Sequence, residues 1–243
     1  MRLWRGQADI SWRLDSSAFR RLANDAARPK FGPEFTSPID PSRATELEGL
    51  IVNYEEYLIE SADHSGFRHV GVRRLSDLEL LAILRHYGAA TRLLDTSRSA
   101  LVALWFAASE YPAKTGALFG INSMYLGGGE HWRQDGPYAD VVRALADINH
   151  PIAWSATGLT PRTAAQHSQF VYSAVSASPR GSIRIDESTD SLTVIALSPE
   201  LKLHILRELK EAFDIHHYSL FPDIEGFAAG NCESREQYEM ERW

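Results

Sequence analysis

The chain has one cysteine, Cys232, in 243 residues, which excludes an internal disulfide and any zinc site built on thiolates. It has no apolar run near the about 20 residues that a membrane-spanning helix needs, and no charged segment leading into an apolar one at its start. A soluble, cytoplasmic protein with no membrane partner is therefore expected. An excess of positive charge is missing too. The formal net charge is −7, which argues against a nucleic-acid footprint over the whole surface and leaves room for a local basic groove. Several motifs are absent as well. There is no Gly-x-Ser-x-Gly elbow, Gly127-Gly128-Gly129 lacks the Gly-Lys-Ser/Thr of a phosphate loop, and none of the nine histidines forms a His-x-x-x-His pair. No metal is expected.

What is present reads as one α+β domain over 1–243, with 44% hydrophobic and 23% charged residues. Leu3-Trp4-Arg5-Gly6-Gln7 and Trp12-Arg13-Leu14 are short strand candidates, and Phe19-Arg20-Arg21 a turn of helix. Asn24 to Ser42 holds four of the eleven prolines and reads as a surface loop. Leu47, Leu50, Ile51, Tyr54 and Leu58 then recur at helical spacing. Ser76-Asp77-Leu78-Glu79 is a capping-box pattern opening a helix whose buried face is Leu80, Leu81, Leu84 and Tyr87, and Gly88 ends it. Protonation of His86 is favoured at that helix C-terminus.

Thr91 to Leu94 is expected as a strand presenting Asp95 and Ser97, and Ser97 or Ser99 caps the uncharged core helix Ala100 to Ser109. The second half carries strand patterns at Ala117–Ile121, Gln169–Ser176, Ser182–Ile185, Leu192–Leu197 and Ile215–Ser219. Helices are expected at Asp140–Ile148, after Ser198-Pro199 and after Pro222, and the last ten residues form a polar tail. A mixed or antiparallel sheet, split around buried central helices, accommodates this order. His86, Tyr87, Arg92 and Asp95 remain without a sufficient structural explanation, beside a buried helix whose N-terminus favours anions. Asp95 with His86 also leaves a hydrolase open.

Four blocks occur in order: Trp4-Arg5-Gly6-Gln7, Arg85-His86-Tyr87-Gly88-Ala89-Ala90-Thr91-Arg92-Leu93-Leu94-Asp95-Thr96-Ser97, Ala165-Gln166-His167-Ser168-Gln169-Phe170, and Leu220-Phe221-Pro222-Asp223-Ile224-Glu225-Gly226. They resemble the bacterial FRG-domain family, with Arg85 in place of Gln, Ala90 of Pro, Thr96 of Trp and Ala100 of Pro. The arrangement also resembles that of ADP-ribosyltransferases: an Arg on a first strand, a Ser/Thr before an apolar helix, and an acid or Gln motif later. That resemblance implies an NAD-using effector, a toxin or phage-defence protein with a partner such as an antitoxin, modifying a protein or nucleic-acid acceptor. It makes Arg5, His86, Tyr87, Asp95 and Gln166 catalytic candidates, and Arg5, Gly6, Arg92, Thr96 and Ser97 cofactor-binding ones. Arg5 would hold the pyrophosphate, Ser97 would order the nicotinamide ribose, and Gln166 stands where a Glu is usual. The alternative is a non-catalytic nucleotide- or nucleic-acid-binding module, with Trp12-Arg13, Phe19-Arg20-Arg21 and His131-Trp132-Arg133 as its contact surface.

Overall fold

The uncharged helix Ala100–Ala108 crosses the first strand at Gly6, where no side chain holds it off. A Cβ on Gly6 would stand 1.9 Å from the Ala103 carbonyl oxygen. Ala103 and Ala107 make the other side of this contact equally thin, so the helix and the strand pack backbone to backbone.

The computed structural model describes residues 2–23, 40–128, 135–156 and 158–232. In chain order these form β1 (Arg2–Gln7), α1 (Ser17–Ala23), α2 (Pro41–His64), the hairpin β2 (His69–Val70) and β3 (Arg73–Arg74), α3 (Asp77–His86), β4 (Leu94–Ser97) and α4 (Ala100–Ala108). There follow β5 (Gly116–Asn122), β6 (Gly127–Gly128), α5 (Tyr138–Ala146), β7 (Ile152–Trp154), α6 (Pro161–Ala165), β8 (Ser168–Tyr172), β9 (Leu192–Leu197), α7 (Pro199–Phe213), α8 (His217–Leu220) and α9 (Ile224–Gly230). The expected α+β class and mixed sheet are present. Seven strands lie in the order β6-β7-β8-β4-β1-β5-β9, all antiparallel except β6 with β7. The expected split around buried helices is not found among the described residues: the seven strands make one continuous sheet, narrowest at a seam between β1 and β4. β1 pairs with β5 over six residues but with β4 only at Trp4 and Ser97.

One face of the β7–β8 half is covered by α3 and α5, with Leu78, Leu81, Leu145, Trp154 and Phe170 in one cluster. Leu3, Leu14, Phe119 and Val171 form a second cluster spanning both halves. The capping box at Ser76 is formed, Glu79 N–H reaching Ser76 Oγ at 3.3 Å and Ser76 N–H reaching Glu79 Oε2 at 2.9 Å. Gly88, with φ 89°, takes the left-handed turn that follows α3.

Several sequence expectations change. Tyr87 is 61% exposed, because α3 ends at His86 and turns its cap outward. β4 begins at Leu94 and includes Asp95 and Ser97 instead of ending before them. Trp12–Leu14 and Ser182–Ile185 form no ladder. Their backbones bond to each other and to side chains instead, as Ile183 N–H does to Leu14 O and Arg184 N–H to Ser173 Oγ. The expected strand Ile215–Ser219 is the start of α8, closed by His216 N–H to Ser219 Oγ at 3.0 Å. Of the proline-rich stretch, residues 24–39 lie outside the described residues, and Pro41 opens α2. The polar tail 234–243 and His131-Trp132-Arg133 also lie outside them.

Arg92, 2% exposed, is held by α2. Its backbone N–H and Nε each donate to fully buried Glu55 at 2.6 Å, and its Nη1 to Glu48 at 3.0 Å. Tyr138 donates to the same Glu55 carboxylate, and the Arg92 guanidinium lies over the Tyr138 ring. Glu55→Ala leaves a buried cation without its main partner and is expected to cost about 3–5 kcal/mol of stability, measured by urea unfolding.

Candidate functional site

Where β1 and β4 part, their facing backbone groups lose ladder partners, and a side chain takes up one of them. Arg5 Nη1 donates to the Asp95 carbonyl at 2.7 Å. Beyond this bridge a cleft of ≈1660 Å³ opens along the seam, walled by β1, the following loop 8–15, α4, the end of α3 and the start of β8. This exceeds the roughly 300–1,000 Å³ of most small-molecule sites and leaves room for two reactants.

The seam concentrates positive charge. Arg85 Nη2 donates to Asp95 Oδ2 at 2.7 Å, and Arg20, which donates to the Asp15 carbonyl at 3.0 Å, is close enough to act on both. Burial lowers the Arg5 guanidinium to about 10; Asp95 opposes the fall, and Arg85 and Arg20 add to it. Desolvation works to raise the Asp95 carboxyl, but Arg85, Arg5 and His86 outweigh it and hold the group below its ordinary value. Arg85 thus bonds the Asp95 carboxylate and Arg5 its carbonyl, while Arg20 lies near both Asp95 and Asp15. The buried Nε atoms of Arg5 and Arg85 have no hydrogen-bond partner among the described residues.

The cleft's other wall is latched from the C-terminal side. Arg162 makes a two-pronged contact with Asp223, Nε to Oδ2 at 2.8 Å and Nη2 to Oδ1 at 2.7 Å, and reaches Glu225 at 3.2 Å. The Arg162 guanidinium lies over Phe221, 4.9 Å from its centroid, and its Nη1 donates to the His86 carbonyl at 3.0 Å. Asp223 also caps α9 by accepting from Gly226 N–H. Gln166 Nε2 donates to the Leu220 carbonyl at 3.1 Å. The Leu220–Gly226 block is therefore tied to the same wall as His86 and Gln166.

Arg5, His86, Asp95 and Gln166 come together on this cleft. Gly6, Thr96 and Ser97 also line it, but as framework. Thr96 Oγ1 donates to the Gln169 carbonyl at 2.9 Å, while Ser97 Oγ donates to the Gln166 carbonyl at 2.7 Å and accepts from Ser99 N–H at 3.0 Å. With its hydroxyl so engaged, Ser97 is not the free ribose ligand expected of it, and Ser99 caps α4. Arg92 does not reach the cleft; it is spent on Glu55 and Glu48. Tyr87 is not among the cleft residues. The Asp/His relay of a hydrolase is not assembled, because Asp95 is engaged by Arg85 and the His86 Nδ1 faces Thr160 Oγ1 at 3.4 Å. Phe19 is buried, which removes it from the expected basic-aromatic contact surface.

Arg85 and Arg162 were not foreseen as site residues, and Arg20 was expected only within the contact surface of a nucleic-acid module. Arg85 directly precedes His86, and an Arg in place of a family Gln was the signal available. His86 is not favoured in its charged form, contrary to its position at a helix end. Burial lowers its pKa, Arg162 and Arg85 lower it further, and Asp95 only partly opposes them.

Fold and site together define an α+β domain with a cationic cleft at a sheet seam. Residues 2–115 match the FRG domain family, so the chain carries an FRG domain over that span, from β1 to the approach to β5. No curated protein and no solved structure matches the chain.

Removing a cation beside His86 should raise its titration midpoint, and removing the anion should lower it. By histidine-ring NMR, wild type is expected to titrate below pH 6.5, Arg85→Gln above wild type and Asp95→Asn below it. Stability tied to neutral His86 is complete above the unfolded pKa and declines as pH falls from there toward the folded one.

Proposed function

We propose that the cleft binds NAD and that the protein is an ADP-ribosyltransferase-like enzyme, acting on a protein or nucleic-acid acceptor. The observation that carries this reading is the Arg5–Arg85–Arg20 cluster at the seam, with two unpartnered Nε donors and three guanidiniums to two carboxylates, Asp95 and Asp15. A pyrophosphate answers that excess charge, and guanidinium forks suit phosphate oxygens better than ammonium groups do.

NAD, when bound, supplies a glycosidic bond whose cleavage builds positive charge on a ribose. Arg5 and Arg85 orient the phosphates. Asp95, kept ionised beside Arg5 and Arg85, would be the carboxylate nearest the phosphates to answer the developing charge, and Gln166 would add a neutral hydrogen-bonding group. His86, kept neutral by burial and its arginine neighbours, is the group able to accept a proton from an acceptor nucleophile.

A second reading, a nucleotide-binding module without catalysis, is favoured by one feature. Gln166 stands where the transferases carry Glu, and its amide is already bonded to Leu220.

The test is release of nicotinamide from NAD by the purified chain, with binding followed by calorimetry. Arg5→Lys and His86→Ala are each expected to lower turnover by roughly a hundredfold while leaving the melting temperature close to wild type. NAD binding without consumption supports the module instead. A protein that neither binds nor consumes NAD overturns both, and salt-dependent binding of RNA or DNA in its place would mark a nucleic-acid module.

A further inference from the structure

The cleft has a second end, built differently from the arginine cluster. β1 ends at Gln7, and the loop 8–15 that follows forms a wall of the same cleft. The loop is held along its length. Ile10 N–H donates to the Thr115 carbonyl at 2.8 Å, Leu14 N–H to the Arg180 carbonyl at 3.0 Å, and Asp15 Oδ1 accepts from Ser182 N–H at 2.7 Å. On this fixed loop Trp12 stands 43% exposed, steadied by an edge-to-face contact with Tyr111 at 5.4 Å and 87°. Other large apolar side chains are as exposed, Phe67 and Ile224 among them, so what distinguishes Trp12 is its place in the cleft wall.

Gln7 supplies an independent observation. It is 3% exposed and lines the cleft, and its Nε2 donates to the carbonyl of Arg13, the residue next to Trp12, at 3.2 Å. That bond fixes the carboxamide so that the nitrogen is the end facing the loop. The opposite atom, Oε1, is buried and has no partner among the described residues. An unpaired buried carbonyl oxygen carries a cost that a ligand N–H would remove. Arg5 and Gln7, two residues apart on one strand, share a face and stand about 7 Å apart, which leaves a sugar's length between phosphate and base.

We propose that Trp12 is the stacking platform for the base of a bound nucleotide and that Gln7 Oε1 accepts an N–H from its exocyclic amino group. The cleft then favours a base with an exocyclic amino group, such as the adenine of NAD, over one with an oxo group in its place. This rests on the nucleotide reading above and adds the residues that would hold the base. The phosphates lie at Arg5 and Arg85, and the base at Gln7 and Trp12. Stacking contributes affinity that is insensitive to base edges, and Gln7 supplies the discrimination.

Calorimetric titration of the full chain with pyrophosphate, ADP and IDP tests it. Wild type is expected to bind ADP about tenfold tighter than pyrophosphate and about tenfold tighter than IDP, which has an oxo group in place of the amino group. Trp12→Ala should weaken ADP about tenfold and leave pyrophosphate unchanged, and Trp12→Phe should restore most of the loss. Arg85→Gln should weaken both ligands. Pyrophosphate binding with ADP indifferent to Trp12→Ala, or equal affinity for ADP and IDP, overturns the base assignment while the anion site stands. Failure of wild type to bind either pyrophosphate or ADP overturns the nucleotide reading and the base assignment together.

Discussion

A strand that leaves its neighbour after one residue pair must satisfy its backbone groups by other means, since buried N–H and C=O groups without partners are costly. At the junction of β1 and β4 this requirement is met by Arg5, whose guanidinium bonds the Asp95 carbonyl in place of a ladder hydrogen bond. α4 sets the same junction from the other side. It rests on Gly6 with no room for a side chain, and Ser97 staples the strand end that leads into it. The seam opens a cleft without leaving a gap in the core, and the side chain that closes the sheet also brings charge to the cleft.

Two arginine–carboxylate groups use the same chemistry to different ends. Arg92 with Glu55 and Glu48 is sealed beneath α2, where removal of a partner would strand a buried charge. Arg5, Arg85 and Arg20 surround Asp95 at the edge of open space, with more cations than anions. In the first group the charges nearly exhaust one another. In the second, an excess remains that a ligand anion would answer. Arg162 belongs to neither. It joins the C-terminal block to the carbonyl of His86 and so holds one cleft wall in place.

Part of this was legible in the chain. The capping box at Ser76, the left-handed Gly88 and the uncharged α4 are local patterns, and each is found where the pattern put it. Arg5, His86, Asp95 and Gln166 were picked out and do meet. Tyr87 and Arg92 were picked out together with His86 and Asp95, for their proximity in sequence to a core helix, and they do not. One turns outward at the helix end, and the other turns inward toward α2. Arg85 stood out only as a replacement for Gln, because its partner, Asp95, becomes adjacent only when β4 lies beside the end of α3. Trp12 was read within a strand and stands on a fixed loop instead, because its neighbours bond to segments some 165 residues away, as Arg13 Nη2 does to the Ser178 carbonyl.

By itself the sequence determined the features that depend on a few neighbouring residues: helix starts and stops, the all-apolar helix, the strand runs that became β1, β5, β8 and β9, and the first two FRG blocks, which fall within the matched residues 2–115. Backbone hydrogen bonding and side-chain periodicity act within a turn or two, so they can be read along the chain. Only the tertiary structure decided which charges pair. Arg92 meets Glu55 across 37 positions, Arg162 meets Asp223 across 61, and Arg5 meets the Asp95 carbonyl across 90. Such pairings follow from how sheet and helices pack, and a side chain's environment sets whether its charge is sealed in or left facing a cleft. That is why the seam, more than any motif, separates framework from candidate site.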